Sequence, residues 1–226
     1  FTYRLGRDDV RITTHYEPGF FLSSIYSVIH ETGHALFEQI SPLEGFDHFL
    51  GDFLTMGQHE SVSRFYENVI GRSESFIHLI YPKVCEIFPQ VMADVTEQEL
   101  YEAVNVVTPS LIRTEADELT YTLHVILRYE IEKKMIDGGL ALEELPRLWN
   151  SMYQEYLGVT PDSDRQGVLQ DMHWTEDFGY FPTYALGNFY GMMYFNRMKE
   201  DFDPWEAVAQ GDFSQINEWM GKHVFA

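Results

Sequence analysis

The stretch Ser27–Gln39, SVIHETGHALFEQ, decides how the rest of the sequence is read. At its centre stands His30-Glu31-Thr32-Gly33-His34, an H-E-x-x-H pattern in an apolar, helix-compatible run. On a helix turning about 100° per residue, His30 and His34 share one face, one turn apart. Two imidazoles so placed suit one tetrahedral Zn²⁺ at about 2.0–2.1 Å from each nitrogen. Glu31 follows His30 directly, where it can reach a metal-activated water as general base. Ile29, Ala35, Leu36 and Phe37 make the helix largely apolar. Three polar side chains would then lie in a core without partners unless something binds them. A chance pattern on a solvated helix is the alternative, and these flanks weigh against it.

The sequence around this helix is long enough for a substantial core: 226 residues, 45% hydrophobic and 15% aromatic. Its 15 Lys and Arg against 36 Asp and Glu leave a formal charge of −21. Phosphate-backbone binding needs the opposite footprint, so a nucleic-acid partner is not expected. No apolar stretch is long enough for a membrane span, and no membrane partner is expected. Cys85 is the single cysteine, which excludes an intrachain disulfide and suits a reducing, cytoplasmic setting. Its neighbours Val84 and Ile87 place it as a small core residue.

Thr2–Leu5 and Val10–His15 flank Gly6-Arg7-Asp8-Asp9 and read as a β-hairpin. Pro18-Gly19 then breaks the chain before the metal helix, about 20–39, which Ser41-Pro42 and Gly45 end. A second helix is predicted over 53–70, closed by Gly71, and a third over 74–88. Thr96-Glu97-Gln98-Glu99 has capping-box spacing and opens a short helix. Pro109-Ser110 is read as the start of the longest helix, 110–136, before Gly138-Gly139. Helices over 143–156 and 182–199 flank an irregular segment, and short helices over 205–209 and 214–222 close the chain. The expectation is one mostly α domain over 1–226 with a small β-hairpin near the N-terminus.

A catalytic zinc site needs another protein ligand. The metzincin pattern would place Gly three residues and His six residues after His34, but Phe37 and Ile40 stand there. Glu38 lies on the same helix, and ligands strung from His30 to Glu38 would span roughly 12 Å, too far to converge. The next helix offers His59 and Glu60, the latter 26 residues after His34. Glu60 completes a His₂Glu set that leaves a position for water. His59 is the competing ligand, with support of the ligands as its other role.

At these residues the sequence resembles the carboxypeptidase Taq family of zinc metallocarboxypeptidases. Asp9-Val10-Arg11-Ile12-Thr13, HETGH at 30–34, His59-Glu60-Ser61 and Ile112-Arg113-Thr114-Glu115-Ala116-Asp117 match its motifs in order. Gly167–Trp174 (GVLQDMHW) and Phe178–Asn188 (FGYFPTYALGN) continue the match. The resemblance implies a helical gluzincin-type metallopeptidase fold and release of single C-terminal residues from peptides. It maps the zinc ligands onto His30, His34 and Glu60 and the general base onto Glu31. It implies one Zn²⁺ per chain, with Co²⁺ or Mn²⁺ as substitutes, and a homodimer. Family members are longer, so the 226 residues are expected to be the C-terminal catalytic half.

Within the predicted helix 110–136, Ile112, Ala116, Leu119, Leu123 and Ile126 form an apolar stripe beside a polar one of Arg113, Asp117, Thr120 and His124. The polar stripe reads either as a solvated face with an Arg113–Asp117 pair or as a site where Arg113 forks onto a substrate carboxylate. The resemblance favours the second reading, with Asp117 orienting Arg113 or a ligand histidine. His173 and Tyr184, 11 residues apart, suit the stabilisation of an oxyanion. Tyr180 competes with Tyr184 and is otherwise a substrate contact. An endo- or aminopeptidase, or a zinc-binding relative without turnover, are the rival functions.

Overall fold

A computed structural model describes residues 1–6, 8–16, 19–40, 55–175 and 178–225. The chain divides into two compact units, Phe1–Val104 with Leu186–Ala226, and Asn105–Ala185.

The first unit opens with β1 (Thr2–Gly6) and β2 (Asp9–Ile12), paired antiparallel with Thr2 opposite Ile12 and Arg4 opposite Val10. Alternate side chains of a strand share a face. Thr2 and Arg4 accordingly reach α1 (Phe21–Ile40), while Tyr3 and Leu5 are exposed. The second strand stops at Ile12, short of the predicted His15. The breaker Pro18, the terminators Ser41, Pro42 and Gly45, and the start of the predicted helix 53–70 lie outside the described residues.

Thr55 caps α2 (Met56–Arg64) by accepting the Gln58 N–H. The same helix runs on as a π-helical segment, Phe65–Ile70, closed by the Gly71 N–H onto the Tyr66 carbonyl at 2.8 Å. Then come α3 (Glu74–Ile87) and α4 (Glu97–Val104). The predicted capping box stands before α4, with the Glu99 N–H on Thr96 Oγ1 and the Thr96 N–H on Glu99 Oε2. Phe37, Val62, Phe65 and Ile70 join Phe195, Met198, Ile216 and Met220 in one buried cluster. Burying each such side chain contributes about 1.5–3 kcal/mol, so this cluster fixes where α1 and α2 run.

In the second unit the structure corrects the longest predicted helix. Here α5 is Glu118–Ile136, and residues 113–115 form only a 3₁₀ turn. Asp117 is the cause: its carboxylate accepts the N–H groups of Leu119 and Thr120 at 3.0 and 2.8 Å and so sets the helix start. The Arg113–Asp117 pair is absent, and Asp117 orients neither Arg113 nor a histidine. The stripe assignment holds only in part: Ala116 and Leu123 pack against buried clusters, and Ile126 is exposed. Leu119 is 69% exposed, whereas Thr120, His124, Arg128 and Glu132, four residues apart, are all buried. The unit continues with α6 (Leu145–Leu157), an irregular stretch, and α7 (Pro182–Met198), whose first turn belongs to it. Two short helices, α8 (Pro204–Gln210) and α9 (Ser214–His223), complete the first unit.

Candidate metal centre

Contact between α1 and α2 begins at Gly33. A Cβ there would stand 2.6 Å from Ser63 Cα and 2.9 Å from the Val62 carbonyl oxygen, so only hydrogen fits. On α7, Gly187 plays the corresponding part, since a Cβ would meet Glu60 Cγ at 3.0 Å. Glu60 is thereby held deep between helices, 2% exposed, and aimed at the two histidines.

Glu60 Oε1 lies 3.7 Å from His30 Nε2, and Glu60 Oε2 lies 3.5 Å from His34 Nε2. Ligand atoms of His30, His34 and Glu60 fall within 4.8 Å of one another. Glu60 Oε1 is buried and has no hydrogen-bond partner. A shared ion bonded at about 2.0–2.1 Å separates its ligand atoms by roughly 3.3 Å in a tetrahedron, close to these spacings. The donor set therefore fits a metal ion better than it fits a hydrogen-bonded cluster.

The candidate ligands are themselves held. His30 Nδ1 lies 2.8 Å from Glu67 Oε2, on the π-helical segment, and the same oxygen accepts Arg64 Nη1 at 2.8 Å. Arg64 Nε in turn donates to Asn188 Oδ1 at 2.8 Å. With Nδ1 engaged, His30 turns Nε2 toward Glu60. Burial pushes Glu60 upward in pKa, but His30, His34 and Arg64 outweigh it and hold the carboxyl at about 2. Glu67 is treated likewise by Arg64, His30 and Arg72, also at about 2. Burial pulls His30 down, and Glu60 with Glu67 more than reverses it. For His34, burial dominates and the pKa is lowered.

Glu31 stands on the same turn as His30. Thr2 Oγ1 lies 2.7 Å from its Oε2 and 2.8 Å from its backbone carbonyl oxygen, both within reach of the one hydroxyl proton. The competing ligand His59 points elsewhere: its Nε2 lies 3.0 Å from Glu38 Oε1, and its ring stacks on His34 at 4.5 Å. Glu38 also meets Arg4 at 3.3 Å. Sequence reasoning missed Glu67 and Thr2. Glu67 carried a faint signal, being seven residues after Glu60 and so on the same helical side.

The second unit gathers the remaining predicted residues. Arg113 is buried, with Nε and Nη2 on Asp171 (2.8 Å from Nη2 to Oδ1) and Nη1 donating to the Tyr121 hydroxyl at 2.6 Å. Its guanidinium also lies over the rings of Tyr184 and Phe181, 4.7 and 4.9 Å from their centres. The Tyr184 hydroxyl is 3.4 Å from His173 Nε2, and Tyr180 stacks on His173 with centres 5.6 Å apart. Arg113, His173, Tyr180 and Tyr184 are thus one cluster, with Asp171 and Tyr121 as members the sequence reading did not single out. Asp171 stood inside the QDMHW motif, but nothing in its spacing tied it to Arg113.

Three comparisons bear on these two clusters. The whole chain, residues 1–226, matches the family described as carboxypeptidase Taq (M32) metallopeptidase. It is 46% identical to "Carboxypeptidase 1" of Bacillus subtilis (strain 168), covering 99% of this chain and 45% of that protein. Against "Thermostable carboxypeptidase 1" of Thermus thermophilus the identity is 42%, covering 100% of this chain and 44% of the relative. The solved M32 carboxypeptidase of Deinococcus radiodurans R1 superposes with a TM-score of 0.94 at 41% identity, over 100% of this chain and 46% of that one. The chain therefore spans somewhat under half the length of these relatives.

Proposed function

Because this chain belongs to the carboxypeptidase Taq (M32) metallopeptidase family, we propose that it is the catalytic half of a zinc metallocarboxypeptidase. On this reading it releases single C-terminal amino acids from peptides with broad preference. One observation carries the reading: ligand atoms of His30 and His34 on α1 and of Glu60 on α2 converge within 4.8 Å, with Glu31 next to His30 on α1.

The His₂Glu donor set is that of catalytic zinc, with Co²⁺ or Mn²⁺ as substitutes. When bound, Zn²⁺ supplies a Lewis acid that polarises the scissile carbonyl and acidifies water. Glu31, steadied by Thr2, takes the proton of the attacking water and delivers it to the leaving amine. Arg113 receives the substrate's free carboxylate. A guanidinium has five N–H donors, and those spent on Asp171 and Tyr121 leave one on each terminal nitrogen. Tyr180 contacts the substrate, while His173 and Tyr184 direct donors at the developing oxyanion. Residues 1–226 belong to one catalytic domain, and the protein works as a cytoplasmic homodimer on peptide C-termini, away from nucleic acid and membranes. The net charge of −21 and the single cysteine support the last points.

The test compares one peptide with its C-terminally amidated form, using Glu31→Gln as control. The free-ended peptide is shortened by one residue at a time and the amide resists. Glu31→Gln lowers the rate by about 10²-fold or more. Equal cleavage of both peptides, or a Glu31→Gln rate equal to the parent's, would overturn the reading.

A further inference from the structure

The buried polar stripe of α5 continues past the site cluster into a pair that the chemistry above does not use. Arg128 is 0% exposed, and its Nε donates to Glu132 Oε1 at 2.7 Å. Its guanidinium carbon lies 3.2 Å from the centre of the Trp174 ring and 4.7 Å from that of Phe181. Nη1 and Nη2 are buried without a hydrogen-bond partner. The other carboxylate oxygen, Glu132 Oε2, accepts the backbone N–H of Gly179 at 2.8 Å, where φ is +82°.

Stability is a poor explanation for such a pair. Desolvating two charges can cost more than their attraction returns, and apolar replacements of similar size are often neutral or better. Two unsatisfied guanidinium nitrogens add to the cost. What the pair supplies instead is fixed geometry. Arg128 sets the plane of Trp174, the residue after His173, and Glu132 anchors Gly179, the residue before Tyr180. Next to Trp174, His173 is wedged against Tyr180 and Phe181, with ring centres 5.6 and 5.0 Å away.

We propose that Arg128 and Glu132 are positioning residues that hold His173, Tyr180 and Tyr184 in their working arrangement, a role that rests on reading those three as substrate and transition-state groups. Neither touches substrate. They act through Trp174 and Gly179, and α5 is the rigid element that carries them.

The test uses the metal-loaded chain with Glu132→Ala and the double variant Arg128→Met/Glu132→Leu, which removes both charges together. The double variant melts close to the parent, because no unpaired charge is left behind. Its kcat falls about tenfold or more while KM stays within about threefold, as expected for misplaced groups that act in the transition state. The Gly179 amide exchanges with solvent faster than in the parent, and the His173 ring resonances shift. A double variant with parental kcat would overturn the proposal by making the pair merely structural, as would unchanged exchange at Gly179. Should the parent itself cleave no peptide, the carboxypeptidase reading is what fails. The Gly179 and His173 signals then decide by themselves whether the pair holds the turn.

Discussion

The Nδ1 of His30 lies 2.8 Å from Glu67 Oε2, and that one hydrogen bond determines which imidazole nitrogen faces Glu60. The candidate ligand triad is thus only the inner layer of the centre. Glu67, braced by Arg64, fixes the tautomer and the ring plane of His30.

Removing that brace is expected to weaken metal binding without removing a ligand. Glu67→Ala lowers affinity for Zn²⁺ by about 10- to 100-fold, measured by competition with a chelator of known strength. An affinity equal to the parent's would show that His30 needs no orienting partner.

Gly33 tests whether helix approach, rather than the motif letters, builds the site. In Gly33→Ala the new Cβ meets Ser63 Cα at 2.6 Å on rigid backbone, so α1 and α2 must separate. The expected loss is about 1–3 kcal/mol in thermal or denaturant unfolding, together with weaker metal binding. Gly6→Ala serves as the control, since a Cβ there meets nothing within 4 Å. Equal unfolding midpoints for the two variants would refute the close-approach argument.

Asp117 is expected to behave as a helix cap. Asp117→Ala costs about 1 kcal/mol of stability, and Asp117→Asn much less. Burial raises the Asp117 pKa, but hydrogen bonds from Thr120, Thr108 and Leu119 outweigh it and leave it lowered. Its contribution is therefore present above the unfolded carboxyl pKa of about 3.9 and lost as pH falls through the lower folded value. Arg113 chemistry unaffected by Asp117→Asn would agree with the cap; a selective rise in KM would contradict it.

His124 gives a pH window of the same sign but higher placement. Burial, reinforced by Arg113, lowers its pKa from 6.5 to about 4, and its Nδ1 lies 3.0 Å from the Tyr153 hydroxyl. The folded state thus binds fewer protons than the unfolded chain between those values. Its stabilising contribution is full above pH 6.5 and declines as pH falls toward 4, by at most about 3 kcal/mol. Denaturant titrations of the parent and His124→Gln across this range should diverge, the variant showing the flatter profile. Parallel profiles would mean that His124 does not titrate this way.

Much of the site and the fold was legible because it rests on local rules. H-E-x-x-H needs only helical periodicity to put His30 and His34 on one face, and capping chemistry announced α4 through Thr96 and Glu99. The start of α5 was misread for a reason of the same kind. Asp117 satisfies helix N–H groups as a cap, a role the sequence reading did not give it, instead of pairing with Arg113.

The sequence by itself determined a mostly helical chain, a hairpin at its start, and a histidine pair with an adjacent glutamate. Periodicity and turn chemistry act between residues close in the chain, so these are readable from order alone. Tertiary structure decided the rest. It aimed Glu60 rather than His59 at the histidines through the Gly33 and Gly187 contacts, and it supplied Glu67 to His30 across 37 residues. It also turned the polar stripe of α5 inward, where Glu132 meets Gly179, and brought Arg113, on the 3₁₀ turn before that helix, onto Asp171. Buried polar groups must find partners, and which partner is within reach depends on how the helices pack.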